Sequence, residues 1–375
     1  MRVVHVSDCY PPRTGGIESQ VRDLAAHQAA AGHHVHVLTA TAAADGGLRT
    51  TATDPSGVRV HRMASALTFG VPVHPMGRRL VGRALDLLRP DVVHVHAGVL
   101  SPFAFDGARA ALSRRLPLAI TWHCMLTGVE GPMRAAARAT GWKSAPAALS
   151  AVSGVAAARV ARALGRDDVA VVTNGLDVAD WRTGGPGPAP GPLRVVATQR
   201  LAPRKRSLPL LRTFARAARA IDDPSHLTIV GAGPDEKSLA REVGRLGLEG
   251  AVTLRGRVER EVLPELYRGE HVFLSATVKE AFGLAALEAR AAGLAVVARA
   301  GTGISEFVTD GVDGFLGEDD ETLTARLVQL ALDPGLRQRI LDHNRSVPPA
   351  ADFADVVVAA DVEYARAGGL AGRPS

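Results

Sequence analysis

The chain has 375 residues, 46% hydrophobic and 22% charged, which is long for one ordinary domain, comfortable for two, and neither disordered nor fibrous in composition. The formal charge is +6, but residues 1–150 carry 16 basic and 9 acidic side chains while the remaining 225 carry 28 and 29. The excess therefore sits in the N-terminal part, where it suits phosphorylated substrates or an anionic membrane surface, or is simply a solvated arginine face.

Three Trp and three Tyr among dispersed arginines give few stacking surfaces and argue against nucleic acid. Cys9 and Cys124 are the only cysteines and have no paired spacing, so neither a disulfide framework nor a cysteine zinc site is expected. No apolar run approaches the roughly 18 residues of a membrane span, and no leader pattern precedes the first apolar stretch. The expected location is the cytoplasm, with contact at the inner face of the membrane left open.

Short β-branched runs at residues 3–7, 35–39, 58–63, 92–96, 118–122, 148–152 and 169–173 alternate with Ala/Leu/Arg stretches of helical spacing. That alternation predicts a doubly wound parallel sheet over residues 1–182. The Gly/Pro run at 183–192 suits neither helix nor central strand and reads as a linker. Strand–helix alternation restarts at 194–198, 227–230, 252–255, 272–275 and 295–298, which predicts a second α/β domain over 193–350. A final amphipathic helix is expected over 351–367.

In such sheets ligands bind beyond the carboxyl ends of the strands, so four loops stand out. Tyr10-Pro-Pro-Arg-Thr-Gly-Gly-Ile-Glu18 follows the first strand and opens a helix at 17–31; Gly15 and Gly16 suit backbone contact with a phosphate, or an ordinary tight turn. Gln199-Arg-Leu-Ala-Pro-Arg-Lys-Arg206 follows the first strand of the second domain, where Arg200 and Lys205 suit a pyrophosphate, or form a solvated basic loop. In Glu280-Ala-Phe-Gly-Leu-Ala-Ala-Leu-Glu288, Gly283 marks a helix start with free N–H groups, Glu288 suits ribose hydroxyls and Glu280 a sugar, unless both are surface glutamates. Thr121-Trp-His-Cys124 ends the fifth strand. Of 13 histidines, 10 precede residue 150; His34, His36, His94 and His96 lie in strand patterns that suit a packed core, and His123 stands apart as a ligand-facing candidate.

Together these segments resemble family 4 of the retaining glycosyltransferases. The matching stretches are Tyr10-Pro-Pro-x-x-Gly-Gly-Ile-Glu18, Asp91-Val-Val-His-Val-His96, Thr121-x-His123, Asn174-Gly-Leu-Asp177, Arg200-x4-Lys205, Val230-Gly-Ala-Gly-Pro234, Glu280-x7-Glu288 and Asp310-Gly-x-x-Gly314. They span nearly the whole chain, and the scarcity of Lys against Arg and Ala fits a high-GC bacterium. The resemblance implies the GT-B fold, two Rossmann-like domains facing across a cleft, with the last helix crossing back to the first domain. It implies an enzyme that moves a hexose-type sugar from a UDP- or GDP-linked donor to a small-molecule, glycan or lipid-linked acceptor, with retention and without a metal or other cofactor.

Carried over by residue, Arg200 and Lys205 fall on the donor pyrophosphate and Glu288 on ribose. Glu280 with Phe282, Gly283, Leu284 and Ala285 falls around the sugar and phosphate. Gly15 and Gly16 lie against the phosphate from the other wall, His123 lies near the sugar, and the Gly256-Arg-Val258 turn grips the base, with Val258 at its end. Gln199, Thr277 and Val171-Val-Thr-Asn-Gly175 depart from the family's usual residues without removing a charged group. No Asp-x-Asp triplet occurs, in keeping with metal-free chemistry. A nucleotide-sugar epimerase or a phosphorylase on the same fold is the alternative. Acceptor loops are expected at 41–55, 67–77 and 126–143. Within the last, Arg134, Arg138 and Lys143 near Trp142 are the candidates for an anionic leaflet.

Overall fold

The computed structural model describes residues 1–66, 74–182, 184, 187–221 and 224–371. Most of the expected acceptor loop at 67–77, and residues 183, 185 and 186 of the expected linker, lie outside these. The chain divides into two compact units, residues 1–175 with 353–375, and residues 176–352.

Unit 1 is built on β1 (Arg2–Ser7), β2 (His34–Thr39), β3 (Thr51–Thr53), β4 (Arg59–Arg62), β5 (Val92–Ala97), β6 (Leu118–Trp122), β7 (Ala148–Ala151) and β8 (Val169–Val171). They form one sheet in the order β3-β4-β2-β1-β5-β6-β7-β8, parallel except where β3 runs antiparallel to β4. Its helices are α1 (Gly16–Ala30), α2 (Gly77–Leu88), α3 (Pro102–Leu112), α4 (Glu130–Ala139) and α5 (Gly154–Leu164). Val3, Val92, Ala119 and Ala148 bury one face of the sheet, while Gly107 of α3 lies against Val6 on the other. Covering both faces removes the need for alternation, which is why the strands read as continuous apolar runs.

Unit 2 opens with α6 (Val178–Trp181) and continues through β9 (Arg194–Thr198), α7 (Ser207–Ala220), β10 (His226–Val230), α8 (Glu236–Leu246), β11 (Val252–Gly256), α9 (Leu263–Arg268), β12 (Val272–Ser275), α10 (Leu284–Ala291), β13 (Ala295–Arg299) and β14 (Gly314–Gly317), ending with α11 (Asp320–Leu332) and α12 (Pro334–Ser346). The six strands are all parallel, in the order β11-β10-β9-β12-β13-β14.

Two boundaries differ from expectation. The division falls at Gly175/Leu176, earlier than residue 182, because the following segment is fastened to unit 2: Trp181 packs on Tyr267 with ring centroids 5.8 Å apart, and Arg337 donates to the Gly191 carbonyl at 2.9 Å. The Gly/Pro run thus belongs to unit 2 rather than lying between the units. The last helix, α13 (Phe353–Ala371), packs on unit 1: Phe353 stacks on His27 at 4.2 Å, and Ala360, Tyr364 and Ala367 meet Val3 and Val92. No helix among the described residues is long and apolar enough to cross a membrane.

Phe353 is 1% exposed and clusters with Leu24 and Val172. Phe353→Ala should therefore cost about 3 kcal/mol through lost burial and a residual cavity, read as a lower urea midpoint for unit 1 with unit 2 unaffected.

Candidate functional site

A parallel sheet whose strand order reverses leaves a crevice at the reversal, beyond the carboxyl ends of the two strands. In unit 2 the reversal lies between β9 and β12, which are direct neighbours. The loops leaving these strands carry Arg200 and Lys205 on one side and Glu280 on the other. Lys205 Nζ and Glu280 Oε2 form an ion pair there, both side chains mostly buried.

Several contacts aim these loops. After β10 the backbone passes so close to the first loop that a Cβ on Gly231 would collide with the Gln199 carbonyl oxygen, and Gly231 also has φ of +134°; only glycine fits. Gln199, a departure from the usual glycine, donates through Nε2 to Ser207 at 3.2 Å, and Thr277 donates to the Lys205 carbonyl at 3.2 Å. Arg206 adopts a left-handed φ of +58°, a conformation that costs about 1 kcal/mol or more for a residue with a Cβ. Its guanidinium is held by Asp320 at 2.5 Å. Arg200 is exposed and has no ion-pair partner among the described residues.

Gly283 caps α10 with φ of +98° and no side-chain cap, leaving the first-turn N–H groups of Leu284 and Ala285 without intrahelical partners. Phe282 does not face a ligand with its ring: it is 3% exposed and packs against Phe307 at 5.3 Å, so only its backbone is available. Glu288 is likewise engaged, accepting from Arg260 Nε at 3.2 Å, while that guanidinium lies 5.7 Å from the Trp181 ring centroid. Arg260 follows the half-buried Val258 by two residues, so it joins the turn after β11 to α10; nothing in the sequence spacing marked it.

In unit 1 the reversal lies between β1 and β5. The loop after β1 carries Gly15 and Gly16, both exposed at the start of α1. It is clamped by Arg62, which donates to the carbonyls of Pro11 at 2.8 Å and Thr41 at 3.1 Å. Asp8 crosses the reversal, accepting from the N–H groups of Phe103 and Ala104 at 3.1 and 3.2 Å; burial pushes its carboxyl up to about 6 despite these bonds.

His123 lies one residue beyond β6, with its Nε2 3.0 Å from Nδ1 of His96. Burial pushes it down to about 4, so it is neutral at pH 7. His36, His94 and His96 are buried as expected, but His34 is exposed at the start of β2. Trp142, Arg134 and Arg138 do not share a helical face: α4 ends at Ala139, and Trp142 folds inward against Phe105 at 5.7 Å, while both arginines stay exposed.

Two α/β units, each with loops at its strand-order reversal and one presenting cations beside a free helix N-terminus, define a GT-B architecture. Residues 14–180 match the model described as Glycosyltransferase Family 4, and residues 186–347 that described as Glycosyl transferases group 1. The chain is 30% identical over 321 residues to a GDP-mannose:cellobiosyl-diphosphopolyprenol alpha-mannosyltransferase of Xanthomonas oryzae, covering 78% of this chain and 77% of that protein. It is 28% identical over 377 residues to a Mycobacterium tuberculosis glycogen synthase, covering 90% and 88%. The crystal structure of Anabaena Alr3699/HepE in complex with UDP and glucose superposes with a TM-score of 0.74 at 20% identity, over 96% of this chain and 98% of that one. The chain belongs to the family 4 glycosyltransferases, and it is a glycosyltransferase of the GT-B fold.

The buried imidazoles set an acid limit on unit 1. His5, His36 and His123 titrate near 4, and His94 and His96 well below their ordinary value, chiefly through burial, against about 6.5 in the unfolded chain. Below pH 6.5 the unfolded state binds more protons, so stability falls as pH drops towards 4. Asp8, raised to about 6, pulls the other way but is outnumbered. Thermal melting should show the unit 1 transition dropping steeply between pH 7 and pH 4.5.

Proposed function

We propose that the chain transfers a hexose-type sugar from a UDP- or GDP-linked donor to a small-molecule, glycan or lipid-linked acceptor, with retention at the anomeric carbon and without a metal ion. The observation that carries this is the Lys205–Glu280 ion pair at the strand-order reversal of unit 2, beside the uncapped start of α10 and the unpartnered Arg200. Breaking a sugar–phosphate bond builds negative charge on the leaving diphosphate, and preorganised cations and helix N–H groups there lower the barrier. Arg200 and Lys205, with the N–H groups of Leu284 and Ala285, supply these without an ion, in keeping with the lack of an Asp-x-Asp triplet.

Glu280 then accepts hydrogen bonds from the transferred sugar, Glu288 from ribose, and Val258 lies by the base. Gly15 and Gly16 approach the diphosphate, and neutral His123 the sugar. With no carboxylate assigned as a covalent nucleophile, a front-face displacement in which the donor phosphate takes the acceptor proton accounts for retention. The names of relatives support nucleotide-sugar chemistry: the Xanthomonas protein is named for GDP-mannose, and the Anabaena structure holds UDP and glucose.

The test begins with a screen of UDP- and GDP-hexoses for thermal stabilisation, followed by mass spectrometry of products. With the donor so found, turnover should be unchanged in EDTA; a loss beyond tenfold that Mg²⁺ or Mn²⁺ restores overturns the metal-free mechanism. Lys205→Ala or Arg200→Ala should each slow turnover about a hundredfold, roughly 3 kcal/mol of transition-state stabilisation. Wild-type turnover in either variant removes that residue from the diphosphate site.

A further inference from the structure

A file of hydrogen bonds runs through the interior of unit 1 and ends at His123. His5 of β1 and His94 and His96 of β5 point to the sheet face covered by α1 and α13. His5 places Nε2 2.7 Å from Gln28 Oε1 and Nδ1 2.9 Å from His96 Nε2; His96 Nδ1 lies 3.0 Å from His123 Nε2. From Gln28 a second arm leads away: its Nε2 donates to Tyr364 Oη at 2.8 Å, Tyr364 contacts His94 Nδ1 at 2.8 Å, and His94 Nε2 meets Thr121 Oγ1 at 2.8 Å. Thr121 meets Ser150 Oγ at 2.8 Å, and Ser150 faces the Ile120 carbonyl at 3.5 Å.

The partners fix where the protons sit. The Gln28 amide N–H donates to Tyr364, so Tyr364 donates to His94 Nδ1, His94 Nε2–H to Thr121, and Thr121 to Ser150, whose hydroxyl is left facing the Ile120 carbonyl. The same amide orientation turns Gln28 Oε1 towards His5, which must donate through Nε2. A neutral His5 then accepts at Nδ1 from His96, and a neutral His96 accepts at Nδ1 from His123. His123 is left with its proton on Nε2 and its lone pair on Nδ1, a buried atom that makes no well-formed hydrogen bond although the Asn174 side chain lies beside the ring, so a substrate hydroxyl would reach it in place of Asn174. Every other ring nitrogen of the file is matched, so a metal ion at His5, His94 and His96, whose ligand atoms lie within 4.8 Å of one another, would have to displace bonds already made.

We propose that Gln28 and Tyr364 are positioning residues of the transfer reaction: acting through His5 and His96, they hold His123 in the Nε2–H tautomer, so that Nδ1 accepts a hydrogen bond from a hydroxyl of the sugar substrate. This rests on the proposed place of His123 beside the sugar. The orienting amide and phenol come from the first and last helices of the unit, far in sequence from the histidine they set.

The experiment is a long-range proton–nitrogen correlation spectrum of the full chain labelled with ¹⁵N-histidine, His123 being assigned by its loss in His123→Asn. The wild type should show Nε2–H at His123, whereas Gln28→Met, which removes the amide, and Tyr364→Phe, which removes one oxygen, should show a mixed or Nδ1–H pattern. Nδ1–H in the wild type, or an unmoved signal in both variants, overturns the proposal, as does one zinc per purified chain. Should Gln28→Met fail to fold, Tyr364→Phe decides alone.

Turnover with the donor found by the screen separates the two ideas. Gln28→Met should lower it threefold or more, and that loss should vanish in the His123→Asn background. An equal loss in both backgrounds shows that Gln28 serves the fold only and overturns the proposal. Wild-type turnover in His123→Asn itself overturns the place given to His123, while the tautomer spectrum still reports whether the file orients it.

Discussion

Parallel pairing governs this molecule. A strand that must lie parallel to its neighbour returns only through a crossover, so every strand-to-helix loop of a sheet emerges at the same edge. Where the order reverses, two loops leave adjacent strands in opposite directions and open a crevice between them. In both units the reversal falls beside the first strand, between β1 and β5 and between β9 and β12. The glycine-rich start of α1, the Asp8 bridge, the basic loop and Glu280 all sit at these two places. The crevice is useful only if the loops are held, and here backbone packs on backbone: Gly231 and Gly233 let the turn after β10 lie directly on the carbonyls of Gln199 and Leu201.

The two units satisfy buried polar groups in different ways. Unit 1 keeps His5, His94 and His96 inside one sheet face, each neutral and with both ring nitrogens matched to partners, which confers direction without charge. Unit 2 uses ion pairs. Arg290 of α10, 3% exposed, meets Asp313 at 2.5 Å and the Val347 carbonyl at 2.8 Å, and Arg260 meets Glu288 on the same helix. A buried pair of this kind adds little net stability, but removing one partner is costly, so α10 is locked at its base while its N-terminus stays open.

The strands with strong apolar runs were legible in the sequence to within a residue or two, because parallel burial on both faces leaves a continuous β-branched signature. Strands β3 and β14 were not: Thr51–Thr53 is short and exposed, and Gly314–Gly317 begins and ends on glycine. The Gly/Pro run announced an irregular segment but not its owner, since what ties it to unit 2 is Trp181 on Tyr267 and an arginine far along the chain, Arg337. The site loops were legible because glycine, proline and charge cluster where strands end. Arg260, Arg62, Gln28 and Tyr364 were not, since each acts through a partner distant in sequence. The pattern His94-x-His96 did carry a readable clue: a spacing of two puts both rings on one sheet face.

The pairing of Lys205 with Glu280 also bears on how a donor would be received under the proposed function. An uncapped helix start carries about half a positive charge, and a lysine beside it adds another, so the empty loop would repel itself and scatter. Glu280 offsets most of this charge and keeps Lys205 folded over the loop. An arriving diphosphate brings more negative charge than one carboxylate, and so takes Glu280's place opposite the lysine and the helix. Glu280 would thereby be released as a sugar hydroxyl arrives to occupy it. On that reading donor binding would be an exchange of anions at a site whose loops are already held, so little ordering cost would fall on the binding step.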